Sequence, residues 1–218
     1  PPRSTPLYSS AASDVYKRQL MTNVSKFDEN GVCAPCNYFD YKKTVDWNLR
    51  EKELMDICDK YRSKDGTFDC VVPSSGGKDS AWVAHELKTK FKMHPLTVTW
   101  SPHSYTDIGW KNFISWIESG HDNILITPDR SVHKKLTSLA FKNLLHPFQP
   151  FIIGQKYVGP RIAHDYGINL VFYGENQAEG GSNLDWNQKL MPREFFKGTS
   201  KELRVGCLLY TSPSPRDS

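Results

Sequence analysis

The sequence predicts an α/β protein: a parallel sheet with helices on both faces. Three observations carry that expectation. Short apolar, β-branched runs alternate with segments of helical period between Phe68 and Tyr173. Glycines stand where two of the helical segments should stop, at Gly120 and Gly167. A glycine-containing loop follows the first strand-like run, in the position where such sheets bind ligands.

The elements follow in order. Residues 40–62 form a charged helical connector, and the Lys64-Asp65-Gly66 turn signal marks a boundary after it. Residues 68–73 (FDCVVP) read as a buried strand. Residues 79–91 place Trp82, Val83, Leu87 and Phe91 at helical spacing. Residues 95–100 (PLTVTW) are β-branched and strand-like. Residues 108–119 carry Ile108, Trp110, Phe113, Ile114 and Ile117 on a helical pattern. A third strand at 123–127, helices at 131–145 and 152–166, and a fourth strand at 168–173 complete the alternation. No internal repeat is present.

The two ends stand apart. Residues 1–19 and 207–218 lack an apolar period, a cap or a turn pattern, and both back-translate into sequences resembling sequencing-library adapters. The expected division is therefore an adapter-like segment at 1–19, a small N-terminal segment with its connector at 20–64, the main domain at 65–206, and a second adapter-like segment at 207–218. On that reading the natural protein continues at both ends. The 218 residues carry a net charge of +4, and without the tails' four basic and two acidic residues it is +2. So weak a bias, without a basic stripe, argues against nucleic acid. No apolar run approaches the ~18 residues of a membrane span. The five cysteines do not form a dense secreted framework, and cytoplasmic residence is expected.

The sharpest chemistry lies in the loop Ser75-Gly76-Gly77-Lys78-Asp79-Ser80. Gly76 and Gly77 permit close backbone approach and positive φ. Their N–H groups, with those of Lys78 and Asp79, cluster at the positive end of a helix. Lys78 adds a full charge, and the Ser75 and Ser80 hydroxyls add donors. The spacing fits neither a Walker loop nor the dinucleotide fingerprint. It resembles the pyrophosphate loop of the PP-loop ATP pyrophosphatases, over about residues 67–181. That resemblance implies an adenine nucleotide α-hydrolase-like fold that splits ATP between its α and β phosphates. It also implies that Ser75, Gly76, Gly77, Lys78, Asp79 and Ser80 hold the β and γ phosphates, with Asp79 orienting the loop or Mg²⁺. Adenine would lie near Val98 to Trp100.

Three further segments, 26–39, 96–113 and 170–181, resemble the N-acetyl sugar amidotransferases of bacterial surface-polysaccharide and nonulosonic-acid pathways. The likeness spans nearly all of residues 20–206. It implies adenylation of an acetamido oxygen and its replacement by ammonia, with Lys78, Asp79 and Glu175 at the chemistry. Glu175 could bind magnesium, take a proton from ammonia or grip the sugar, or it could be a helix N-terminal carboxylate. Asn176 could bind the acetamido group, and His103, Tyr105 and Asp107 could read sugar hydroxyls or form a solvated loop. Trp110 and Trp116 read as core, and His85, His121, His133 and His164 as structural or surface residues.

Cys33 and Cys36 have the spacing of half a tetrahedral thiolate site. The resemblance implies a zinc-ribbon-like segment whose second pair preceded Leu20, so the Zn²⁺ site is incomplete here; a redox or sulfur-carrying pair is the rival reading. Cys58 and Cys70 lack the surroundings of a glutaminase nucleophile. Ammonia is therefore expected from separate glutaminase and cyclase-like subunits, and the substrate is an N-acetylated sugar or sugar nucleotide. Two other activities stay open: tRNA thiolation by the same adenylation, and nucleotide binding without catalysis.

Overall fold

The computed structural model describes residues 28–174, apart from the side chain of Pro35. Within them the chain forms α1 (Ala34–Thr44), α2 (Trp47–Tyr61), β1 (Cys70–Pro73), α3 (Lys78–Thr89), β2 (Pro95–Trp100), α4 (Asp107–Glu118), β3 (Asp122–Ile126), α5 (Arg130–Leu144) and α6 (Gln149–Asp165). The connector read as one helix over 40–62 is two helices, because Val45 adopts an extended φ/ψ of −78°/129° and ends α1. The chain divides into two compact units between Trp47 and Asn48. The first contains α1. Its lead-in is organised by Asp28, whose carboxylate accepts the N–H groups of Asn30 (2.9 Å) and Val32 (2.8 Å) and the Asn37 amide (2.9 Å). Those bonds hold the Asp28 carboxyl below its ordinary range.

The second unit carries the predicted architecture. β1, β2 and β3 form a parallel sheet in that order, with Val71 opposite Leu96 and Val98 opposite Ile124. Strand side chains alternate between two cores. Cys70 and Val72 join Cys58 of α2, Ala84 and Leu87 of α3, and Trp116 of α4 on one face. Val71, Leu96, Val98 and Trp100 meet Val158, Ile162 and Ala163 of α6 on the other. Both faces are therefore covered, as parallel strands require.

Glycines let α6 settle close to the sheet. A Cβ on Gly154 would stand 2.2 Å from Cε2 of Trp100, and one on Gly159 would stand 2.6 Å from Cγ of Pro73. The fourth predicted strand is reduced to a single parallel bridge, Val71 to Val171. Val71 N–H donates to Leu170 O and Phe172 N–H donates to Val71 O, each at 2.9 Å. The segment is short because it leaves α6 through Gly167, at φ +67°, and reaches Gly174 above α3 seven residues later. Among the described residues no helix is long and apolar enough to cross a membrane.

Candidate functional site: the loop between β1 and α3

The loop is fastened at its entry. Ser74 is buried; its N–H donates to Val98 O (2.9 Å) and its carbonyl accepts the Thr99 hydroxyl (2.5 Å). Thr99 and Thr97 belong to a buried polar layer completed by Asn123, whose amide donates to both hydroxyls at 3.0 and 2.9 Å. Leu96, Val98 and Trp100 face the opposite core, so β2 devotes one side to this network. Neither Ser74 nor Thr99 was singled out from the sequence. The alternation of threonine with large apolar residues in residues 95–100 is the signal that marks them.

Gly76 turns the chain with φ +79°, and a Cβ there would meet Asn112 O at 3.2 Å and Phe113 Cα at 3.3 Å. Only glycine takes this backbone easily while lying so close to α4. Gly77 is the N-cap of α3 and, among the described residues, no side chain caps the helix, whose first turn stands at the carboxyl edge of the sheet. Ser75, Gly77, Lys78 and Asp79 are exposed. The Lys78 side chain is 90% exposed, and its Nζ lies 2.8 Å from the Asp79 carboxylate. Ser80 turns inward: its hydroxyl lies 3.1 Å from that of Ser74 and donates to Gly77 O at 3.3 Å. Through these contacts it braces the loop.

The other candidates divide among neighbouring elements. Val98 and Trp100 are buried in the α6-facing core, so neither side chain presents a surface at the strand end. His103 stacks on buried His133 of α5 (centroids 4.1 Å apart), and its carbonyl accepts a bond from Arg130 at 2.5 Å. Tyr105 packs on Trp110 and Phe113 of α4, and its buried hydroxyl has no hydrogen-bond partner. Asp107 opens α4 behind the Thr106 cap, where a carboxylate suits the helix dipole. The three are therefore not assembled around one point.

Gly174 sits directly on the loop helix: a Cβ there would lie 2.7 Å from Ser80 N and 2.9 Å from the Asp79 carbonyl carbon. Glu175 and Asn176 lie outside the described residues. Lys156 was not anticipated. It stands on α6 between Gly154 and Gly159, is half-buried, and burial lowers the pKa of its ammonium. Tyr173 hydroxyl donates to its carbonyl at 3.0 Å. A lone cation within the apolar run of residues 151–159 is the signal that could have found it.

Cys33 caps α1 and is buried, while Cys36 in the first turn is exposed. Among the described residues no group of three or more His, Cys, Asp or Glu side chains converges. A zinc site at Cys33 and Cys36 would thus need ligands from outside 28–174. Cys58 and Cys70 are core residues; burial raises both thiol pKa values, that of Cys70 to about 12.

Fold and loop together define an α/β protein with an uncapped helix start and a flexible-backbone turn at the carboxyl edge of a parallel sheet. No family model matches the chain. The chain is similar to an uncharacterized protein of Methanocaldococcus jannaschii, 29% identical over 75 residues, which are 34% of this chain and 27% of that protein. The chain thus spans about a quarter of the length of the curated relative it matches.

Proposed function

We propose that the chain is an ATP-dependent ligase that adenylates the acetamido group of an N-acetylated sugar and lets ammonia displace AMP. The observation that carries this reading is the Ser75-to-Ser80 loop, with Gly76 at positive φ, α3 uncapped, and Lys78 exposed at its mouth. A helix start of this kind favours anionic oxygens, and the lysine extends the favourable field.

An amide carbonyl resists ammonia because its oxygen leaves poorly. In the proposed reaction that oxygen attacks the α-phosphorus, the bond from this phosphorus to the bridging oxygen breaks, and pyrophosphate leaves. Ammonia adds to the carbon, loses a proton, and the carbon–oxygen bond breaks as AMP departs. The product is an acetamidino sugar. Lys78 and the first-turn amides of α3 would face the charge that grows on the leaving pyrophosphate. Ser74 and Thr99 would hold the loop in register, and Ser80 would brace it beside the phosphates. Magnesium bound with the nucleotide would neutralise phosphate charge, and the Asp79 carboxylate, paired here with Lys78, would hold it or orient the loop. Ammonia would arrive from glutaminase and cyclase-like partner subunits, since Cys58 and Cys70 are buried thiols.

The test is product analysis with Mg·ATP, an N-acetylated sugar nucleotide and ammonium salt. AMP and pyrophosphate are expected, in amounts that depend on the sugar; ADP as the sole nucleotide product, or dependence on tRNA instead, overturns the reading. Lys78→Ala should lower turnover by ~10³-fold with unchanged thermal unfolding, because an exposed side chain is lost where phosphate charge develops. A near-normal rate would remove Lys78 from the chemistry.

A further inference from the structure

An open cleft of about 470 Å³ separates α3 from α4, beginning at Gly76 and Lys78 and ending at His121. Helices that share a layer usually meet through apolar faces. Here α3 turns Lys78, Trp82 and His85 toward the cleft, and α4 turns Asn112, Ser115 and Ser119. Both sets follow the i, i+3 or i+4, i+7 spacing of one helix face. Apart from Ala81, Trp82 and Trp116, the lining between the two helices is polar.

Two deeper residues of the lining are more than nine-tenths buried: Trp116 at 7% exposure and His121 at 8%. Among the described residues, Trp116 Nε1 and His121 Nδ1 are buried without a hydrogen-bond partner. Their rings stack with centroids 4.3 Å apart, so they form one surface. Buried polar atoms are nearly always paired, so two orphans beside a cleft call for a partner, either water or a bound group. The indole N–H only donates, so its missing partner is an acceptor. The lining contains no carboxylate; its charged and titratable groups are Lys78, His85 and His121. Lys88 adds charge behind His121, with Nζ donating to Gly120 O. Burial, with Lys88 and His85 nearby, lowers the His121 pKa, which favours the neutral imidazole.

We infer that the α3–α4 cleft is a second binding site, for a small metabolite carrying an oxyanion, whose mouth shares Gly76 and Lys78 with the nucleotide seat proposed at the loop. A volume of this order suits a metabolite of hexose-phosphate size. The oxyanion would meet Lys78 and the donors along α4, while acceptor oxygens reach Trp116 and His121 as the wall adjusts. Trp82, 64% exposed at the rim, offers a flat apolar face to the rest of the molecule.

The indole N–H signal of Trp116 reads the site directly in nitrogen-15 spectra of the full chain, assigned with Trp116→Phe. Glucose 6-phosphate and gluconate serve as phosphate and carboxylate probes, glucose as the neutral control, and Mg·ATP as the competing source of phosphate. A saturable shift with either anionic probe, absent with glucose, is the expected result, and the probe that acts identifies the anion. His121→Phe keeps the ring stack and removes both ring nitrogens; it should weaken that binding at least tenfold. Ser115→Leu, on the exposed face of α4, should abolish it with unchanged thermal unfolding. A signal unmoved by both anionic probes, or moved only by Mg·ATP, overturns the second site. The Gly77 and Asp79 amides, outside the cleft lining, report ATP separately, so absence of ATP binding with the Trp116 shift intact would sink the ligase reading alone.

Discussion

His133 shows how much one buried side chain can decide. It lies on α5 beneath the β2–α4 loop, stacked on His103 and set edge-on to Trp100. Burial, with His103 and Arg130 beside it, lowers its pKa from 6.5 to about 4. Above pH 6.5 the ring is neutral in the folded and unfolded chain alike. As pH falls below 6.5 the unfolded chain takes up a proton that the folded chain refuses, so stability drops until about pH 4. His121, whose pKa is lowered too, contributes in the same direction. The midpoint of thermal unfolding should therefore decline between pH 6.5 and 4, and His133→Phe should flatten that decline. An unchanged slope in the variant would place the effect elsewhere. From the sequence these histidines read as structural or surface residues, because neither burial nor the stack with His103 is encoded in spacing.

At the scale of elements, the loop is held from both sides by glycines. Gly76 lies on α4, and Gly174 lies on the first turn of α3. Gly174→Ala places a carbon 2.7 Å from Ser80 N and 2.9 Å from the Asp79 carbonyl carbon, and neither backbone atom can rotate away. The variant should lose about 1–3 kcal/mol of stability in denaturant titration, and at least tenfold in affinity for Mg·ATP. Gly77→Ala is the control for stability alone, since its new carbon meets only Ser75 Oγ at 3.6 Å and its φ is −71°. Equal losses of stability in the two variants would show that Gly174 does not shape the loop. The sequence revealed these elements well where period and punctuation agreed: β1, α3, β2, α4 and β3 fall within a few residues of their expected bounds. It failed where tertiary contacts decide. The break at Val45 is one case, and the shrinking of the fourth strand to one bridge is another. The α3–α4 cleft was hidden because a polar helical stripe reads as a solvated face.

For the whole molecule, the position of the loop follows from topology. β1 has β2 on one side and the bridge at Val171 on the other. The chain reaches β2 through α3, which packs with α2 and α4 on one face, and returns to Val171 through α6 on the opposite face. The direction of strand order therefore reverses at β1, and its carboxyl end is the switch point at which such sheets form a ligand crevice. Both halves of the crossover meet there, with Gly174 against Ser80 N. A nucleotide seated in this crevice should stabilise the two halves together. At a concentration of 100 times Kd, binding adds ~2.7 kcal/mol, or about a hundredfold slowing of exchange for amides that open only with global unfolding. The Val71 and Phe172 amides, which tie β1 to the returning segment, are the probes for that measurement. Mg·ATP should slow both by the same factor. Slowing of only one would mean that the ligand holds half of the crossover and sits outside the crevice.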